Sequence, residues 1–237
     1  MGPLLEVRTG VRNKTATHSA LREIVFGVND GLISITGLVV GVAASHMTAH
    51  QVLLSGLAAT TAAVVAMGLG AFLSTAAQNQ YVLAERDRTA EAVQLQPQVK
   101  QAEVARHYHR QGLATDLVDQ MTRHTIADRQ RWVAFLVQAE TGVSLHHLDS
   151  PWTAALLMAG AVWVGSWAPI VPFLIATRVA QALPWSIGLA LTCAGALGIV
   201  KARVTAGPLW RSGLQFALVA AIAVAVGTLA GRGLHAL

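Results

Sequence analysis

Three observations predict an all-α polytopic membrane protein with five transmembrane helices and a cytoplasmic three-helix insertion. Hydrophobic residues make up 54% of the 237 residues and charged ones 12%, and the mean hydropathy is +0.51, a balance that would not keep a soluble domain of this length in solution. Five apolar runs, at roughly 24–45, 52–77, 152–175, 183–201 and 211–231, reach the ~20 residues needed to cross ~30 Å of hydrocarbon. Between the second and third lies the polar stretch of about 78–150, whose apolar residues recur at helical spacing.

Taken in order, residues 1–23 carry Arg8, Arg12, Lys14 and Arg22 without an apolar core or a small-residue cleavage site. They are read as a cytoplasmic segment rather than a cleavable signal, so the first span serves as its own signal. Residues 24–77 hold the first two spans. The first contains Gly37 and Gly41, and the fifth contains Gly227 and Gly231; such small-xxx-small pairs allow close helix approach. In the 78–150 domain, Pro97 separates an extension of the second span from a helix over about 98–111 that ends at Gly112. Thr115 is expected to cap a short helix through His124, and a third helix runs from about Ala127 to Thr141, before Gly142. Ser150 and Pro151 read as N-cap and first helical residue of the third span, which opens the second membrane block, 151–237.

The basic residues orient the spans. With the N-terminus placed inside, 15 of the 17 Lys and Arg fall on that side, leaving Arg178 and Arg232 for the other. The N-terminus is therefore expected in the cytoplasm and, after five spans, the C-terminus outside. The same asymmetry accounts for a pI near 10.1 without nucleic acid, since the basic residues form no stripe with interleaved aromatics. Cys193, the single cysteine, excludes an internal disulfide and argues against a Cys-based metal site.

The chemistry centres on REIVFGVNDGLISITGLVVGV, residues 22–42. Asp30 is the one acidic residue well inside a span, Glu23 lying at its inner edge, and a carboxylate in hydrocarbon costs at least ~2.5 kcal/mol. An intramembrane aspartyl protease needs a second carboxylate, and a serine protease needs a histidine deep in the bundle. Neither is present, so no enzyme and no cofactor are expected. A lone intramembrane carboxylate marks an ion or proton pathway; the alternative is a structural aspartate bonded to Ser34, one turn on, or to a neighbouring helix. Met67 is the second candidate metal ligand. At ~1.5 Å per residue, Asp30 lies ~9 Å and Met67 ~15 Å from the inner ends of their helices, so both fall in the inner half of the membrane. A thioether beside a carboxylate favours Fe(II)-like or softer divalent metals over Mg or Ca, although a helical Met also serves as core filler. In the polar domain Glu103 and His107 share a helix face and Glu140 on the third helix can complete a metal site; the alternative is a solvated face, with His109, His124, His146 and His147 as surface residues.

FGVNDGL followed by GLVVGV, AMGLGAFLS ending the second span, GSWAPIVPFLI in the third, and the Lys201 to Ser212 stretch before the fifth together resemble the vacuolar iron transporter family, over about Ser19 to Leu229. The resemblance implies a homodimeric five-span carrier that moves Fe(II) or Mn(II) out of the cytosol in exchange for protons, with a metal-binding helical domain between spans two and three. It places Asp30 on the family's pathway aspartate and Met67 on its pathway methionine. The departures are specific. A glutamate that some relatives carry on the second span is Ala59 here. Glutamates of the cytoplasmic domain read Thr89, Ala92 and Lys100, leaving Glu103 and Glu140, and two methionines of plant relatives read Leu136 and Val137.

The expectation is therefore a divalent-metal transporter with a degenerate cytoplasmic metal-binding domain, in which His107 stands as a substitute ligand. Its partners would be membrane lipid, divalent metal ions, protons and a second copy of the chain. It would lie in the inner membrane of a bacterial cell or a vacuolar-type membrane of a eukaryotic one. The competing expectation is a non-transporting scaffold or metal sensor that acts through the cytoplasmic helices.

Overall fold

The computed structural model describes the backbone of residues 3–145 and 148–235 and the side chains of 20–145 and 148–233; His146 and His147 lie outside the described residues. Those residues form eight helices and no strand: α1 (Pro3–Ala44), α2 (Ala49–Leu95), α3 (Pro97–Arg110), α4 (Thr115–Ile126), α5 (Arg129–Thr141), α6 (Pro151–Ile175), α7 (Val179–Val204) and α8 (Leu209–His235). Five stretches are long and apolar enough to cross a membrane: Ala20–Ala44, Ala49–Leu95, Pro151–Ile175, Val179–Val204 and Leu209–Gly233. They match the five expected spans; the second helix runs on to Leu95 as Pro97 indicated, and the first continues back to Pro3, an extension the sequence reading did not contain.

Two compact units emerge, one of residues 1–72 with 152–237, the other of residues 73–151. In the first, α1 is the helix the others pack against. Gly27 and Gly31 meet α6 so closely that a Cβ at Gly27 would stand 2.7 Å from Ala161 Cβ, and one at Gly31 would run into the Val162 carbonyl. Further along, Gly37 and Gly41 lie against Gly227 and Gly231 of α8, backbone on backbone, and Ser45 Oγ donates to the Gly231 carbonyl at 3.1 Å. The glycine pairs seen in the sequence are thus two halves of one seam. Ile35 and Val39 of α1, Val52 of α2, Ile170 and Phe173 of α6 and Ala182 of α7 form a hydrophobic core beside it, each large apolar side chain contributing ~1.5–3 kcal/mol by burial. Outward-facing positions are apolar too: Leu214, Leu218, Ile222, Val226 and Leu229 of α8 are 52 to 70% exposed, the surface that lipid would cover.

The α1–α2 turn is closed by a reciprocal cap that the sequence did not announce, in which Thr48 N donates to Gln51 Oε1 at 2.9 Å and Gln51 N to Thr48 Oγ1 at 3.3 Å. Pro169 and Pro172 lie inside α6 and deprive the carbonyls one turn back of their usual donors. The Pro169 carbonyl itself accepts from Ser186 Oγ of α7 at 2.7 Å.

The second unit has its own core, from Val82 and Val93 of α2, Val104 and Tyr108 of α3, Val118 of α4 and Val137 of α5. Tyr108 and Thr125 share a hydrogen bond of 2.9 Å within it. Two local expectations change. Thr115 is the first residue of α4 and Ala114 its N-cap, with no side-chain cap bond. The third helix starts at Arg129 because Asp128 caps it, accepting from Gln130 N and Arg131 N. Gly112 and Gly142 end α3 and α5 in left-handed conformation, at φ of 80° and 72°, as their positions implied.

Candidate functional site

Asp30 is half-buried on α1. One turn before it stands Phe26, 53% exposed, and one turn after it Ser34, also exposed, so the carboxylate lies in an open strip of the helix. Ser34 Oγ donates to Asp30 Oδ1 at 3.2 Å, which is the bond the structural alternative anticipated. Among the described residues it is the sole hydrogen bond to this carboxylate. An ionised carboxylate accepts about four, and one long bond from a neutral hydroxyl leaves most of that capacity open to a cation or a proton.

Met67 lies on α2, likewise half-buried. Its height is fixed by helix contacts. A Cβ at Gly56 of α2 would be 3.2 Å from Val39 Cγ2 of α1; counting antiparallel from that contact sets Asp30 level with Val65 and Met67 about 3 Å further along the axis. An independent pair agrees. Gly27 of α1 touches Met158 and Ala161 of α6, and Gly68 of α2 touches Ala155 and Ala159, so both glycines meet one short stretch of the same helix. Asp30 and Met67 therefore occupy one level of the bundle.

Two turns from Met67 on the same face of α2 is Thr60, 1% exposed. Its Oγ1 has no hydrogen-bond partner among the described residues. Other hydroxyls buried in this unit are paired: Thr36 Oγ1 donates to the Leu32 carbonyl and Ser166 Oγ to the Val162 carbonyl at 2.8 Å. An unpaired buried hydroxyl costs about 1–3 kcal/mol. Nothing in the sequence signals it, because a threonine in an apolar helix ordinarily bonds its own backbone one turn back.

In the helical unit the structure brings Glu103, His107 and Glu140 to one cavity of about 280 Å³, shared with Arg106, Arg110, Leu136 and Ala139. The cavity is not a ready cation site. Lys100 Nζ stands 2.8 Å from Glu103 Oε2 and Arg106 3.9 Å from its Oε1, so the glutamate is already compensated. No three His, Cys, Asp or Glu side chains among the described residues are grouped to hold one metal ion. His107 packs edge-on against Phe135 at 5.2 Å. Thr89, at a position read as a lost glutamate, is 2% exposed, and Leu136 and Val137 are core residues. His124 is exposed and engaged by Arg131, whose Nη1 lies 2.8 Å from its Nε2 and donates to its carbonyl at 2.9 Å.

Comparison with known proteins places the chain as a whole. A model of the VIT family matches residues 21–232. The chain is 26% identical over 211 residues to vacuolar iron transporter 1 of Tulipa gesneriana, covering 89% of this chain and 85% of that protein. It is 25% identical over 205 residues to vacuolar iron transporter 1 of Arabidopsis thaliana, covering 86% and 82%. Against a vacuolar iron transporter of Toxoplasma gondii it is 28% identical over 141 residues, 59% of this chain and 46% of that one.

Proposed function

Because the chain belongs to the VIT family, we propose that it is a multi-pass membrane carrier that moves divalent iron or manganese out of the cytosol in exchange for protons. The observation that carries the reading is Asp30, a carboxylate inside a candidate span with one neutral donor and a methionine at its own level. The thioether of Met67 adds a soft ligand to the hard carboxylate oxygens, a pair suited to Fe(II)-like or softer divalent metals better than to Mg or Ca. Asp30 binds the metal as a carboxylate; when the metal leaves, the same oxygens take the proton that moves the other way. The names of the relatives support iron as the cargo.

The working unit is a homodimer with its N-termini in the cytoplasm. An aspartate facing lipid is costly, and the strip Phe26–Asp30–Ser34 is open in a single chain, so a second copy covering it would shelter the carboxylate. Orientation rests on the basic residues. The 78–150 domain would be cytoplasmic and would hold metal weakly, since Lys100 and Arg106 compensate Glu103.

The test is metal flux and internal pH measured in the same proteoliposomes. The unaltered protein is expected to move Fe(II) or Mn(II) with opposite proton movement, and Asp30→Asn, which keeps shape and removes charge, to reduce both to background. Near-normal exchange by Asp30→Asn would return the residue to a purely structural role. A scaffold or sensor would move no metal at all.

A further inference from the structure

We propose that the turn between α7 and α8 is a docking surface for anionic phospholipid headgroups, held through Lys201, Arg203 and Arg211. Residues 151–237 contain these three cations, together with Arg178 and Arg232, and no aspartate or glutamate. Only residues 205–208 separate α7 from α8, so the three charges are gathered at one end of a helical hairpin. The two helices are locked together there. A Cβ at Gly198 of α7 would run into the Ser212 carbonyl of α8, and one at Gly213 would stand 3.1 Å from Ile199 Cγ1. Thr205 closes the turn, its N and Oγ1 each donating to the Lys201 carbonyl at 3.0 Å.

Arg22 and Lys100 have carboxylates beside them, Glu23 at 3.3 Å and Glu103 at 2.8 Å. Lys201, Arg203 and Arg211 form no ion pair and no side-chain hydrogen bond among the described residues. Two of them lie over aromatic rings instead: Lys201 Nζ is 5.4 Å from the centre of Phe216, and the Arg211 guanidinium is 5.4 Å from that of Trp210. Trp210 is 68% exposed and stands at the start of a candidate span, the depth at which indole rings meet lipid headgroups. The Trp210–Arg211 pair is therefore presented to the headgroup layer with its charge uncompensated by the chain. Positive charge at a span end orients a protein during insertion; in the folded protein the same charge attracts anionic lipid. Phosphate oxygens accept charge-assisted bonds from both guanidinium and ammonium groups. A zwitterionic headgroup brings its own cation and leaves the turn unbalanced, whereas an anionic one supplies the missing charge.

The full-length protein in a neutral detergent is titrated with phosphatidylglycerol, with phosphatidylcholine of the same acyl chains and with inorganic phosphate, and its thermal midpoint is followed. Phosphatidylglycerol is expected to raise the midpoint at concentrations where the other two do not. At about fivefold per cation, the combined Lys201→Gln, Arg203→Gln and Arg211→Gln variant should need about a hundredfold more phosphatidylglycerol for half the rise. Arg178→Gln with Arg232→Gln, at the other end of the hairpin, should respond as the unaltered protein does. If the triple variant does not fold, Arg211→Gln alone is read for its fivefold shift. No rise with phosphatidylglycerol, an equal rise with phosphatidylcholine, or an unshifted response in the triple or single variant overturns the inference. So does an equal loss in the Arg178 and Arg232 control, which would mean diffuse attraction to the whole chain. An equal rise with inorganic phosphate would make the turn a site for a free ion and overturn the lipid assignment.

Discussion

Asp30 stands out in the sequence because a carboxylate in an apolar run has so few ordinary explanations, and Met67 needed the family pattern because a methionine there has many. The unpaired Thr60 hydroxyl was not visible at all, since a missing partner is a property of packed helices and not of any sequence spacing. Two outcomes follow at this scale. Asp30→Glu keeps the charge and shifts it by one methylene, so part of the metal-coupled proton movement should survive, whereas Met67→Leu, which conserves volume, should weaken metal affinity by at least about tenfold, the scale of disturbing even an outer contact of a metal site. Concentration dependence of flux distinguishes them: unchanged half-saturation in Met67→Leu would remove the sulfur from the ligand set. In the helical unit, calorimetric titration of the intact Asp30→Asn protein with Mn(II) should show no tight site, because Lys100 occupies Glu103. Two or more tight sites would mean that His107 and Glu140 have taken over the role.

Among the elements, the spans and the stops at Pro97, Gly112 and Gly142 were legible, since hydropathy, a missing amide hydrogen and a left-handed terminus are local effects. The caps were less so. Asp128 and Thr48 act through bonds whose donors depend on where the helix begins, and a shift of one or two residues hides them. Helix partners were not legible either. Gly37 and Gly41 declared a close face, yet nothing local said that α8 would fill it. The sign of a glycine substitution should now depend on position. A Cβ added at Gly188 would meet no neighbouring element within 4 Å among the described residues, whereas one at Gly227 would strike the Gly37 carbonyl. Gly188→Ala should stabilise by about 0.5–1 kcal/mol through helix propensity, and Gly227→Ala should destabilise by about 1–3 kcal/mol through overpacking. Thermal midpoints in one detergent check the pair; equal shifts would show that the seam yields.

For the whole molecule, single cysteines check the orientation of the spans and their pairing with a second copy. Single cysteines at His50 and Gln111, both exposed, in a chain carrying Cys193→Ser, should react with a membrane-impermeant thiol reagent from opposite sides. Reaction from the same side would overturn the topology. A cysteine at Phe26 in the same background should cross-link two chains under mild oxidation if the Asp30 strip faces its copy. Only monomer at every oxidant level would move the interface elsewhere. The division into an apolar unit and a polar one was visible in composition. The packing of each was not, because cores form between segments far apart in the chain.

The α1–α8 seam has a bearing on how such sequences can diverge. Where α8 meets the α1 backbone at Gly227 and Gly231, an added Cβ would strike the carbonyls of Gly37 and Gly41, so replacement there adds atoms to space already filled and neutral drift has nowhere to go. The outer apolar residues of α8, from Leu214 to Leu229, are more than half exposed, and a lipid-facing surface asks only that they be apolar. A saturation mutagenesis library selected for function would therefore record a silent, unvarying line along one side of α8 and near-free exchange along the other, tracing the seam without a structure in hand.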